Sequence, residues 1–442
     1  MVYEENLEDK LILRSLRDDA DRERFAAFNA ACNNPYEGAT CASLLHHHPQ
    51  TTLDDYWLVE DASTGKVVST TCLLPWVCRF DGIELRLAQL EMVLTHPAYR
   101  GRGLVRAQMK HFEQVVLERG YDLSIIWGIP YYYRQFGYAH AIDGDRCEAL
   151  PMWKIPDYPI GACQSVRTVS PTLVGVRTVS PTLVGVRTRP AAAADIPLLV
   201  EGYTDATSTL DITIQRTPAY WRFLLEAAHY PVEIVENAQS GGTLGYAVIV
   251  RSEESITILE CGLPDASACL GLLQHLNTQA SQQVLVSGPD HALLVQLARS
   301  LGSQRVEGGQ WLLRFPDVAR FLMRIGPALQ NRLADSPWRG LTMELIINLY
   351  RQAYRLRFQM GRLAGVDTLG FVDASMGADG GHLCIPPEAF VRLISGYRAL
   401  DELFDAWPDI TVKPEVRNLI DVLFPPRKAY LYTPYHFMGK IS

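Results

Sequence analysis

The chain has 442 residues, enough for about two to four domains. Hydrophobic residues make up 48% and charged residues 20%, a globular composition that excludes disorder as the dominant state. With 41 basic and 49 acidic side chains the net charge is −8, which disfavours nucleic acid and anionic membranes as partners and suits a cationic one. Nine cysteines without a CxxC pair point to reduced thiols in a cytoplasm, not to a disulfide framework or a zinc ribbon. The opening MVYEENLEDK has no apolar core, so no secretion signal is expected. No run of about 18 apolar residues occurs, so no transmembrane helix is expected either.

Residues 11–150 alternate between strand and helix patterns. A short apolar run at 11–16 precedes a helical spacing over 18–31, where Phe25, Phe28 and Ala31 recur at three and Asp18 or Asp19 can cap. Strands are expected at 56–60 and 67–75, joined by the turn signal Ser63-Thr64-Gly65-Lys66. A longer strand at 83–95 follows Asp81-Gly82. An amphipathic helix at 106–118 stops at Gly120, and 123–127 reads as a buried strand. Residues 166–175 and 176–185 both read VRTVSPTLVG. Two copies of so short a unit are too few for a solenoid and read as a duplication in a linker.

From 186 to 316 a second mixed unit is expected. Helices fall at 195–203, 219–228, 266–279 and 291–301, with strands at 232–235, 244–250, 256–260, 284–287 and 311–315. The remainder reads as strands at 340–349 and 354–358, helices at 386–396 and 416–424, and a last strand at 429–435.

Chemistry concentrates between Glu91 and Tyr138. A strand runs into His96-Pro97-Ala98-Tyr99-Arg100-Gly101-Arg102-Gly103-Leu104-Val105 and then into a helix. Glycines at such a turn let backbone N–H groups converge, and a helix N-terminus adds partial positive charge. The combination suits a pyrophosphate. Arg100, Arg102 and Arg106 add full charges. Neither GxxxxGK nor GxGxxG is present, so a P-loop and a dinucleotide fold are disfavoured. His46-His47-His48 read as a strand or loop before Pro49, with ring directions too divergent for a metal, so no metal site is expected. Cys72 and Cys78 read as core thiols. Trp76, Phe80 and Trp127 read as core packing or as walls of an acceptor pocket.

Two motifs carry a family resemblance. Val93-Leu94-Thr95 through Gly103 resembles the acetyl-CoA loop of the GNAT superfamily of N-acetyltransferases. That pattern, Gln/Arg-x-x-Gly-x-Gly/Ala, falls on Arg100 and Gly103, with Val105 in the last place. Tyr132-Tyr133-Arg134-Gln135-Phe136-Gly137-Tyr138 resembles the family signature Phe/Tyr-Tyr-x-x-x-Gly-Phe/Tyr. The order of units, with residues 390–398 and Leu423-Phe424-Pro425-Pro426, is similar to the Eis-like (enhanced intracellular survival) acetyltransferases.

The resemblance implies an α/β (α+β) fold of tandem GNAT-like domains plus a C-terminal sterol carrier protein-like domain. It divides the chain into 1–155, a linker at 156–190, a degenerate second domain at 191–316 and the terminal domain at 317–442. It implies an acetyl-CoA-dependent transfer to a primary amine of a small cationic or lysine-containing acceptor, and a homo-oligomer, a hexamer in that family. Val93, Leu94, Thr95, Arg100, Gly101, Arg102, Gly103, Leu104 and Val105 would hold acetyl-CoA. Tyr133 takes the place of the family's general acid.

An aliphatic amine at pH 7 must lose a proton at about 3.4 pH units below its pKa, roughly 4.6 kcal/mol, so a base is required. The resemblance implies the C-terminal carboxylate, here on Ser442, five residues beyond Phe437. Glu91 is the alternative, since strand alternation puts Gln89, Glu91, Val93 and Thr95 on one face. A competing function is a CoA-sensing or apolar-ligand-binding protein with little turnover.

Overall fold

The computed structural model describes residues 3–129, 131–144, 146–157, 185–279, 281–306, 308–375 and 379–432. The duplicated decapeptide, apart from Gly185, lies outside the described residues, as do Phe437 and Ser442. The chain forms two compact units. One takes in the described residues of 1–143, 210–215 and 310–442, and the other those of 144–209 and 216–309.

The first unit opens with β1 (Glu4–Asn6) and β2 (Leu11–Ser15). Next come α1 (Asp19–Cys32) and α2 (Pro35–His47). The side chain of Asp18 caps α1 by accepting from the Asp21 N–H at 2.9 Å. Asn34 caps α2 in the same way, with Pro35 at the first helical position. The sequence reading missed α2 and put its histidines in a strand or loop. His46 and His47 instead form its last turn.

β3 (Tyr56–Asp61), β4 (Lys66–Phe80) and β5 (Ile83–Thr95) follow, then α3 (Leu104–Glu118), β6 (Leu123–Ile126) and β7 (Ala139–Asp143). The sheet runs β1-β2-β3-β4-β5-β6, then the strand Gln310–Arg314, then β7. The short strand Ile212–Ile214 pairs with β4. Leu104, Met109, Phe112, Val115 and Val116 form the apolar stripe of α3 and join a core with Leu13, Trp57, Leu90 and Tyr133.

Two strands change allegiance relative to the sequence-based boundaries. Gln310–Arg314, expected to end the second domain, pairs antiparallel with β6 and β7. Cys147–Pro151, expected in the first domain, pairs with Gln283–Ser287 of the second unit. A buried apolar strand carries no label for its partner, so register and neighbour are set by the assembled sheet.

The second unit holds a sheet in the order Gln304–Val306, Cys147–Pro151, Gln283–Ser287, Ser255–Gly262, Thr243–Arg251, Val232–Asn237 and Val186–Pro190. A separate sheet within the first unit runs Arg362–Gly370, Ala353–Gln359, Met343–Asn348, Leu383–Cys384 and Thr411–Val412. Of the last strand expected from the sequence, Ala429 and Tyr430 make isolated bridges to Ile212 and Asp143. Among the described residues, no helix is long and apolar enough to cross a membrane.

Candidate active site

The site begins at a fault in the β4–β5 hairpin. Cys72 pairs with Glu91 and Thr70 with Leu94, so Thr71 alone faces Met92 and Val93. This is a β-bulge, and Met92 accommodates it at φ 54°, a left-handed conformation uncommon for a residue with a side chain. The extra residue reverses the alternation. Gln89 and Glu91 share the face of Leu74 and Cys72. Thr95, paired with Ser69, takes the opposite face, with its Oγ1 2.8 Å from Ser69 Oγ. Ser69 Oγ in turn lies 2.9 Å from Gln108 Oε1 on α3. The single face expected for Gln89, Glu91, Val93 and Thr95 is therefore broken at the bulge.

Beyond the bulge the sheet opens. The parallel ladder between β5 and β6 ends at Gln89 and Ile125. β5 continues to Thr95 and turns through Pro97–Tyr99 into α3. Gly101 and Gly103 sit at φ 78° and 76°, where a side chain would strain the backbone, and open space surrounds the place a Cβ would occupy. Gly103 is the N-cap of α3 and offers no capping side chain. The first-turn N–H groups and the positive end of the helix dipole are thus left for a ligand.

A cleft of about 790 Å³ lies here. Val93, Leu94, Thr95, Arg100, Gly101, Gly103, Leu104 and Val105 line it, together with Tyr99, Arg106, Ile129, Tyr132, Tyr133, Gln135 and Phe136. Arg102 does not line it. Its guanidinium lies over the Tyr99 ring, 4.8 Å from the centroid, and 3.8 Å from Asp9. The Tyr99 hydroxyl donates to Asp61 at 2.7 Å, which fixes that ring. Arg106 reaches Gln135 at 3.3 Å.

Tyr133 sits in the 3₁₀ turn Tyr132–Phe136, which Gly137 ends at φ 80°. The tyrosine is 5% exposed. Burial pushes its phenol well above the ordinary tyrosine range, and the nearby charge of Glu91 adds to the effect. Its ring is pressed against Gly128, where a Cβ would stand 2.2 Å from Cδ2. Gly128 escaped the sequence reading, although a glycine between β6 and the tyrosine run was its available signal. Tyr131, by contrast, is exposed, with Arg134 over its ring.

Glu91 is half-buried, and its Oε2 accepts from Gln89 Nε2 at 2.8 Å. The remaining aromatic candidates go to packing contacts. Trp127 meets Trp311 edge-on at 5.2 Å and Phe80 meets Phe321 at 5.2 Å. Trp76 is buried beside Gln89.

The pattern of residues 13–141 matches the family described as Acetyltransferase (GNAT) domain. No curated protein matches the sequence. Solved structures share the fold at low identity. A probable N-acyltransferase of unknown function from Enterococcus faecalis has a TM-score of 0.68 at 13% identity, over 99% of this chain and 100% of its own. A GCN5-related N-acetyltransferase from Anabaena variabilis has 0.66 at 13%, over 97% of this chain and 100% of its own. Eis1 from Mycobacterium abscessus has 0.60 at 15%, over 96% of this chain and 100% of its own. The matched stretch holds the bulge, the glycine turn, the uncapped helix and the Tyr133 turn, and it supports an acetyltransferase activity for the domain it covers.

Proposed function

We propose that the chain transfers an acetyl group from acetyl-CoA to a primary amine of a small cationic or lysine-containing acceptor, by direct attack of the amine on the thioester. The observation that carries this reading is the cleft that joins an uncapped helix start to Tyr133.

The residues present fit acetyl-CoA. Glycines without side chains, first-turn N–H groups and Arg100 suit its pyrophosphate. The opened edge of β5 at Val93, Leu94 and Thr95 offers backbone groups to an amide-bearing arm. When bound, acetyl-CoA supplies an acyl group activated as a thioester. Tyr133, kept protonated by burial, holds the proton that a departing thiolate needs. Glu91 is the base we favour: it does not line the cleft itself, but it lies half-buried on β5 beside the bulge, two residues before the lining residue Val93. The carboxylate of Ser442 is the competing base.

The finer assignment is to the Eis-like enzymes, with a homo-oligomeric, by resemblance hexameric, assembly. It also takes residues 317–442 as a sterol carrier-like domain, the second unit as a degenerate GNAT-like domain and the cytoplasm as location. The decisive measurement is release of free thiol from acetyl-CoA with a panel of aminoglycosides, polyamines and lysine peptides. Acetyl-CoA-dependent turnover with at least one amine is expected. Tight binding without turnover on any of them would favour the sensing protein.

A further inference from the structure

We infer that Gln89, itself fixed by Trp76, positions the carboxylate of Glu91. This rests on the reading of Glu91 as the base. Trp76, Leu74 and Cys72 on β4 and Leu87, Gln89 and Glu91 on β5 share one face of the hairpin, by the pairs Trp76–Leu87, Leu74–Gln89 and Cys72–Glu91. Gln89 is fully buried and Trp76 nearly so.

The indole N–H of Trp76 donates to Gln89 Oε1 at 2.8 Å. An indole nitrogen is a donor only, so this bond decides which end of the amide is oxygen. The NH₂ group is thereby turned to Glu91, where Nε2 donates to Oε2 at 2.8 Å. Reversing the amide would set donor against donor at Trp76 and oxygen against oxygen at Glu91. The chain therefore has one direction, from indole to amide to carboxylate. His48 holds the indole from the side, edge-on at 5.6 Å and 88°.

The consequence for Glu91 is twofold. One carboxylate oxygen is tied down, so the side chain loses rotational freedom and presents a fixed orientation. A donor aimed at the carboxylate favours its ionised form. Cys72 across the hairpin and Tyr133 share the field of this carboxylate, and burial raises the proton affinity of both. A proton taken from the acceptor nitrogen ends on Glu91, while Gln89 keeps its own and acts only as a positioning residue.

The test uses the full chain with Gln89→Leu, and Trp76→Phe as the milder variant should the first not fold. Three quantities are read: turnover against pH, acetyl-CoA affinity by calorimetry, and the Glu91 carboxyl titration by difference infrared spectroscopy without acetyl-CoA. Gln89→Leu should lower turnover about tenfold and move the carboxyl midpoint up by about one pH unit. Acetyl-CoA affinity should hold, since neither residue lines the cleft. Trp76→Phe should act in the same direction and less. In a Glu91→Gln background, Gln89→Leu should add nothing. A slow Glu91→Gln enzyme beside variants with unmoved midpoints, or a further loss in that background, overturns the positioning role. Full turnover in Glu91→Gln would instead reject Glu91 as the base.

Discussion

Both units contain a hairpin, a helix and a strand parallel to the hairpin's second arm, and they differ at the helix start. In the first unit β5 passes through Gly101 and Gly103 into a helix without a capping side chain. In the second, the strand Ser255–Gly262 leads to the helix Ala266–Asn277, and Asp265 caps it by accepting from the Ala268 N–H at 2.9 Å. A carboxylate thus occupies the place that an anionic ligand would need. The hairpins differ in the same sense. Glu91 beside the first bulge is half-buried. Glu260 in the second hairpin is sealed with Arg216, at 1% side-chain exposure each, and accepts from the Tyr246 hydroxyl at 2.6 Å. The same framework leaves its polar ends open to a ligand in one unit, and in the other the chain satisfies them itself.

The largest expected effect tests the open unit's acid. Tyr133→Phe keeps the ring against Gly128 and should cut turnover by about 10²–10⁴-fold, with acetyl-CoA affinity retained. Because burial raises this phenol, its proton should stay in place past the ordinary tyrosine range. Any alkaline loss of rate assigned to Tyr133 should therefore fall above about pH 10. A Tyr133→Phe enzyme with full turnover would reject the acid assignment.

The next variant makes the open helix start resemble the closed one. Gly103→Asp introduces a carboxylate at φ 76°, and should weaken acetyl-CoA binding on the order of tenfold to a hundredfold in calorimetry. Unchanged affinity would remove the glycine turn from the binding site.

A third variant disturbs placement alone. Gly128→Ala puts a methyl group inside contact distance of the Tyr133 ring. Turnover should fall about tenfold, and thermal unfolding should show a loss of about 1–3 kcal/mol. Crystal structures of the variant with the ring unmoved would contradict this reading.

The smallest effect belongs to the closed unit. Asp265→Ala removes a helix cap and should cost about 1 kcal/mol in denaturant unfolding. Turnover and acetyl-CoA affinity should not change. A fall in either would show that the second unit serves the reaction directly.

Much of the site was legible because its signals are local. A strand, two glycines, arginines and an amphipathic helix follow one another within about 25 residues, and their conformations depend on near neighbours. The tyrosine motif is equally compact. Thr95 was misplaced on the face of Gln89 and Glu91 because alternation assumes an unbroken ladder, and the fault at Met92 exists only once β4 is paired with β5. α2 was missed because its apolar positions are interrupted by Gly38 and small residues, so its capping signal at Asn34-Pro35 was outweighed by weak periodicity.

The sequence by itself determined the elements around the cleft and the residues their turns bring forward, since helix caps, glycine conformations and short motifs are written in adjacent positions. Tertiary structure decided what lies between distant segments. It gave Gln310–Arg314 to the first sheet and Cys147–Pro151 to the second, set Gly128 under the Tyr133 ring, and joined Trp76 to Gln89 across a hairpin. Such choices depend on which surfaces the assembled sheet leaves to be buried and which polar groups remain to be satisfied, and no local pattern encodes them.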